Sequence, residues 1–300
     1  MIIVNETHCP DSRRRQKTIG TRNPRFDTLP GGTRKNAESH IYLLKDSELL
    51  VYAPVIRSWR VVRHRQNTRE YVKEIAGGDD NSRVYYLATD GHHYNISYYD
   101  VSRSNPTEPT PIVGHGRLEL TVEMAVDDGA GLIFVLSVTN TRQCRLLVFK
   151  NKEISKNILL EMYHYGSVDV DRAHRKLYIA YTWPDTAYVG KVDYEGWVCD
   201  KIRLPGQYPA SLAYDPRDNV VYGLVTDMGK QLVYFFDFSD GSAKRANMIP
   251  GGMQPNIILI GLTTFALIGR NAGVLYDRKI SGRTNIDGRK SESGVILEYS

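Results

Sequence analysis

An acid and two hydroxyls recur at one fixed place in this 300-residue sequence. Glu123, Ser167 and Ser211 each stand four residues before an aspartate, Asp127, Asp171 and Asp215 respectively, and successive members are 44 residues apart. In a fold that repeats with that period, equal places become neighbours. A carboxylate set beside hydroxyls suits an ammonium group, which it meets by a charge-assisted hydrogen bond. Tyr165 and Tyr208 would offer ring faces to a cation, and Asn256 an amide, with His164 and Gln254 near them. The chemistry expected of this set is binding of a small aromatic or biogenic amine. The competing reading of the same residues is a water-filled funnel.

Catalytic chemistry finds less support. The sequence has no GxSxG elbow, Walker loop, HExxH or CxxC. GHGRLE (Gly114 to Glu119) begins like a dinucleotide loop but lacks the last glycine. The histidines are scattered, so their spacing closes no metal site. Asp127, Asp128, Asp169 and Asp171 read as turn aspartates before they read as calcium ligands. No catalytic residue and no cofactor are therefore expected, with axial calcium as the alternative. Cys144 and Cys199 fall in strand-like segments and read as buried free thiols.

The elements that must carry these residues follow from an internal repeat. IYLLK, YYLAT, IFVLS, LYIAY, VYGLV and FALIG mark it by Tyr42, Tyr86, Phe134, Tyr178, Tyr222 and Phe265, at steps of 44, 48, 44, 44 and 43 residues. The long step holds the loop-like insertion SRSNPTEPTP (Ser102 to Pro111). Asp79, Asp127, Asp171 and Asp215 each precede the aromatic of their repeat by seven residues, and a strand ending in aspartate follows it. Each unit thus reads as four short strands joined by tight turns, with period-2 alternation in segments such as QLVYFFDF. Four strands in about 44 residues is the pattern of a β-propeller blade, and six marks predict an all-β, six-bladed propeller with four-stranded antiparallel blades. The aspartates are expected to cap turns and the aromatics to pack between blades. Residues 35–300 would form the propeller. Residues 1–34 would form a basic arm, and a strand from either terminus, GVILEYS or MIIVN, would close the ring.

Composition agrees with a globular chain, 41% hydrophobic and 24% charged, and tyrosine is prominent at 20 residues against 7 Phe and 3 Trp. No apolar run approaches the ~18 residues of a membrane helix. Net charge is +5, and much of the excess lies near the ends, as in SRRRQK. That run reads as a solvated tail, so nucleic acid is not an expected partner. The opening MIIVNETHCPDSRRR is expected not to act as a signal peptide as it stands.

Tyr42 to His64, YLLKDSELLVYAPVIRSWRVVRH, resembles the yellow and major royal jelly protein family through Ser58, Trp59 and Arg60 and the order of phrases after them. RVYYLATDGHHYNISYYDVSR, IVGHGR, DDGAGLIFVLSVTNTRQC and RKLYIAY are similar to the family's later blades, and the likeness spans residues 40–205. It implies a secreted propeller, with amine binding or dopachrome-type isomerisation among the family's activities. A cytoplasmic protein is the alternative. Lipoprotein-receptor-type propellers are the competing resemblance, through VDVDRAHRKLYIAY and ASLAYDPRDNVVYG, although the Trp-Thr-Asp phrase of that class is missing. The leading expectation is a non-catalytic amine binder of yellow type. A propeller that binds a protein on its loop face and a metal-assisted hydrolase or isomerase are the alternatives.

Overall fold

The computed structural model describes residues 38–45, 48–53, 58–63, 71–78, 82–90, 93–101, 110–116, 120–138, 141–204, 211–227, 230–246, 249, 253, 255–260, 264–269, 272–277, 282–287 and 293–299. Residues 1–34, Asp79 and Tyr208 lie outside these. Everything regular among the described residues is β-strand.

The strands follow the alternation and turn punctuation of the sequence. β1 (Glu38–Lys45), β2 (Glu48–Ala53) and β3 (Ser58–Arg63) form one antiparallel sheet. The next is β4 (Tyr71–Gly77), β5 (Arg83–Thr89), β6 (Tyr94–Asp100) and β7 (Thr110–Gly116). A seven-stranded sheet comprises β8 (Leu120–Asp127), β9 (Leu132–Val138), β10 (Gln143–Lys150), β11 (Glu153–Asp171), β12 (Lys176–Thr182), β13 (Ala187–Asp193) and β14 (Val198–Arg203). β15 (Ser211–Asp215), β16 (Val220–Asp227), β17 (Lys230–Asp237) and β18 (Ser242–Ala246) make a further four-stranded sheet. So do β19 (Pro255–Ile260), β20 (Thr264–Gly269), β21 (Ala272–Asp277) and β22 (Gly282–Asp287). Finally β23 (Ser293–Tyr299) pairs antiparallel with β1 and makes the first sheet four-stranded. GVILEYS therefore completes the first sheet from the carboxyl end. β22 supplies the fourth strand of the last sheet.

β11 explains the seven-stranded sheet. It is 19 residues long, pairs with β10 from Glu153 to Tyr163, and pairs with β12 from Tyr163 to Asp171. Register shifts on both sides of Tyr165 let one strand serve two four-stranded groups. The leading strands touch in series: β23 with β4, β4 with β8, β8 with β11, β11 with β15, β15 with β19, and β19 with β23 again.

The core lies between successive sheets. Phe134, Leu136 and Ala125 pack against Ile179 and Tyr181 of the following strands. Tyr178 and Ala180 pack in turn on Tyr214 and Phe236. Phe134 meets Tyr194 with ring centroids 4.5 Å apart, and Tyr178 meets Tyr214 at 5.1 Å and Phe238 at 5.2 Å. Tyr42 likewise joins the core shared with the next sheet, and Tyr222 joins the one shared with β19 and β20.

Two repeats are out of phase by one residue. In the second, Gly78 N donates to Arg83 O, so Gly78 rather than Asp79 holds the place of Asp127, and Tyr85 rather than Tyr86 that of Phe134. In the last, Phe265 turns back towards Tyr222 while Ala266 faces the first sheet. A one-residue slip sends a strand side chain to the opposite face, which is why Tyr86 packs on the preceding sheet.

The buried turn aspartates are acceptors. Asp127 Oδ1 accepts from Ala130 N (2.9 Å), Asp171 Oδ1 from His174 N (3.1 Å) and Asp215 Oδ1 from Arg217 N (3.1 Å). Asp127 Oδ2 also accepts from the Tyr194 hydroxyl of the next group at 2.7 Å. Hydrogen bonds to a charged partner are worth about 1.5–3 kcal/mol. Tyr194→Phe is expected to lower unfolding free energy by about 1.5–3 kcal/mol in urea titration, with Lys150→Ala, on the exposed end of β10, within about 0.5 kcal/mol of wild type.

Candidate functional site

The leading strands, β11 in its part beyond Tyr163, each pair on one side only, so every second amide there points away from the sheet. Leu212 N and Tyr214 N are such groups. Leu212 N donates to Ser167 Oγ at 3.1 Å and Tyr214 N to Asp169 Oδ2 at 2.6 Å, both from β11. One sheet on, Ile258 N donates to Ser211 Oγ at 3.2 Å. Ser167 and Ser211 are thus acceptors for the next strand's backbone, and each keeps a hydroxyl proton to offer elsewhere.

Register assigns the equal places around the axis. Glu123 pairs with Leu136, Ser167 with Ala180 and Ser211 with Leu224, each partner two residues beyond its sheet's aromatic. Glu74 pairs with Leu87, two beyond Tyr85, and so stands level with Glu123 on the adjacent leading strand. Ser293 holds the same place on β23, opposite Leu44, and Ile257 holds it on β19. Glutamates therefore hold the same register place on two adjacent leading strands. Glu74 is 8% exposed and its Oε1 accepts from Ile75 N at 3.1 Å.

Burial pushes the half-buried Glu123 carboxyl up to about 8. Asp169 is also raised by burial, against the pull of its bonds from Tyr214 N and Val170 N and of nearby Arg172. At neutral pH the Glu123 carboxyl therefore holds a proton it would release in water.

Of the other residues expected at this site, Tyr165 lies on β11 in register with Tyr181, and Asn256 lies on β19. Tyr208 is outside the described residues. At the end of β11 that leads into the axial half, Tyr163 and Trp183 pair at 5.6 Å, and Thr182 Oγ1 donates to Tyr163 O at 2.8 Å. Sequence reading missed Glu74 because a register shift between Val72 and Glu74 and the displaced turn at Gly78 break the spacing to Asp79. The pair Glu74/Leu87 at the spacing of Glu123/Leu136 was the available signal.

Cys144 is a buried free thiol, pushed up to about 12 by burial. Cys199 departs from expectation, since it is disulfide-bonded. It sits half-buried on β14, the outermost strand of its sheet, where a second thiol can reach it. Among the described residues no three His, Cys, Asp or Glu side chains gather as a metal site would need.

No family model and no curated protein matches this chain. Solved structures do. A chain in the crystal structure of the nidogen/laminin complex aligns with a TM-score of 0.64 and 13% identity over 86% of this chain and 98% of that one. TolB from Acinetobacter baumannii aligns with a TM-score of 0.62 and 11% identity over 87% of this chain and 66% of that one. Both are β-propeller proteins, and at these identities the likeness is one of fold. The chain accordingly has a β-propeller fold. The Ser58-Trp59-Arg60 phrase opens β3, where Trp59 packs on Tyr52 at 5.1 Å, at the sheet's outer edge and away from the axial level.

The raised Glu123 carboxyl makes stability depend on pH with a definite sign. Below about 4.5 the group is protonated folded and unfolded alike. As pH climbs from there to about 8, only the unfolded chain releases the proton, so folding loses stability across that window and levels off above it. Glu123→Gln is expected to raise the melting temperature relative to wild type by an amount that grows from pH 5 to pH 8. A difference that is flat over this range in calorimetry would place the carboxyl in ordinary solvent.

Proposed function

We propose that this chain is a non-catalytic binding protein, a six-bladed β-propeller whose axial pocket takes a small aromatic or biogenic amine. The leading strands β23, β4, β8, β11, β15 and β19 are read as the inner strands of the six blades, their closed series of contacts supporting that number. The observation that carries the ligand reading is that Glu74 and Glu123 hold the same register place on neighbouring leading strands, opposite Leu87 and Leu136, in a fold whose axis is the customary place for a ligand. An ammonium group would let Glu123 ionise inside the protein. The hydroxyl protons of Ser167 and Ser211 remain to orient polar substituents, and the Tyr163 and Trp183 rings suit an aromatic one.

The resemblance to the yellow and major royal jelly proteins supports an amine as the cargo, and we read the chain as a divergent relative. A secreted setting follows from the same reading, and the disulfide at Cys199 supports it, since such bonds persist in oxidising compartments. A protein-binding propeller is the second reading. It is favoured by Ile154 and Leu159, 50% and 54% exposed on the outer half of β11.

Ligand binding should be coupled to proton release, because the carboxyl is protonated in the empty pocket. Calorimetry with dopamine, serotonin, octopamine and histamine is expected to show saturable binding of at least one. Its affinity should rise from pH 6 to pH 8, with about one proton released per amine bound. Glu123→Gln should weaken it at least ~10-fold, about 1.4 kcal/mol. Failure of all four amines to bind would overturn the amine reading and leave the protein-binding one.

A further inference from the structure

We propose that Arg172 is a positioning residue for the axial site, its guanidinium stopping the turn end of the channel so that Glu123 meets water and ligand only from the opposite mouth. The proposal rests on the axial reading above.

Arg172, an exposed residue, begins the turn between β11 and β12, yet its side chain reaches β8, three strands away in the same seven-stranded sheet, and β4 of the preceding sheet. Nε donates to Val126 O on β8 and Nη2 to Gly77 O on β4, each at 3.1 Å, the second partner being 95 residues away in the chain. The direction of those carbonyls follows from register. Tyr214, whose amide points off its sheet, pairs with Val221, the residue just before Tyr222. Val126 pairs with Ile133, just before Phe134, and Gly77 with Val84, just before Tyr85. On an antiparallel strand a residue's N–H and C=O point to the same side. Val126 O and Gly77 O therefore face the free edges of the leading strands, the axial side, and the guanidinium that joins them lies within the ring. It sits three residues from Glu123 along β8, roughly 10 Å at strand rise.

Around this stopper the turn ends are fastened. Arg83 Nη1 bonds Asp128 (3.1 Å to Oδ2) and the Tyr85 hydroxyl donates to Asp128 Oδ1 (2.6 Å). Tyr194 holds Asp127 as described, and the Arg175 guanidinium lies 5.4 Å from the Tyr194 ring centre. The second sheet and the turn after β13 are thereby both fastened to the turn after β8. A single-headed ammonium cannot span two carbonyls as the planar fork does. The ionisable residues on β4 are Tyr71, Lys73 and Glu74, and on the second half of β11 they are Tyr163, His164, Tyr165, Asp169 and Asp171, with Asp127 at the end of Glu123's own strand and Arg172 beyond.

The sign of one measurement separates the possible roles of Arg172. As a stopper it keeps water from Glu123, and its removal should bring the carboxyl down towards an ordinary glutamate. As a charge alone it stabilises the carboxylate, and removal should push the carboxyl higher. Carboxyl carbon NMR titration of the full chain, with the Glu123 signal assigned by its loss in Glu123→Gln, reads this directly. We expect the midpoint to fall by about one pH unit or more in Arg172→Ala, and part of the way in Arg172→Lys, which keeps the charge and loses the fork. An unchanged midpoint, or one that rises, in a folded variant overturns the proposal. If Arg172→Ala does not fold, a Lys variant that titrates like wild type overturns it equally. The titration needs no ligand. Failure of amine binding with a lowered midpoint would refute only the amine, and the converse would refute only the stopper.

Discussion

The leading strands, β11 in its part beyond Tyr163, each have one edge with no ladder partner, and the structure depends on how the polar groups of that edge are satisfied. An unpaired backbone amide away from water costs about as much as the hydrogen bond it lacks. Here the partners come from the preceding sheet as side chains: Ser167 and Asp169 for Leu212 and Tyr214, Ser211 for Ile258. Carbonyls are met from the following sheet by Arg172. These bonds lie on the axial side of the cores that join the sheets, so apolar packing and polar bridging fix the same neighbours. An edge that would otherwise invite a foreign strand is used to hold the molecule's own sheets in order.

The repeat was legible because the turn chemistry and the cores between sheets are local and periodic. Asp127, Asp171 and Asp215 occupy equal turns, and Phe134, Tyr178 and Tyr222 face the following sheet. What escaped was phase. A slip of one residue at Gly78 moved the second repeat's aromatic to Tyr85, and Phe265 stands one residue before the place its period suggested. Both slips preserve the apolar pattern, since strands buried on both faces read as continuous hydrophobic runs. Their only trace is in which face each residue presents. The consequence fell on the candidate site, where Glu74 was hidden although Glu123, Ser167 and Ser211 stood in plain spacing.

The long β11 was unreadable for a different reason. Nothing in EISKNILLEMYHYGSVDVD marks an end to one strand and a start to another. The chain passes from the outside of one group to the axis of the next without a turn, and the register shifts around Tyr165 do the bending. The aromatic pair Tyr163 and Trp183 stands where that passage occurs, so the feature that erased the strand boundary also brings two rings together there.

The axial level itself is a poor arrangement for stability. Glu74 and Glu123 stand on adjacent strands in a place where Ser167 and Ser211 already satisfy backbone amides at no cost in charge. Serine there would bridge sheets as it does elsewhere in the ring. A glutamate at the same place must either keep its proton or find a cation, and burial has raised Glu123 far enough that the first choice prevails near neutrality. A cation brought to that level would let Glu123 give up its proton inside the protein. An incoming cation would gain from the ion pair and from the hydroxyl protons around it, while the bonds from Leu212 N and Ile258 N stay in place. On the amine reading, binding would draw on the hydroxyl protons of the same serines whose lone pairs serve the architecture, so the bonds between sheets could stay in place.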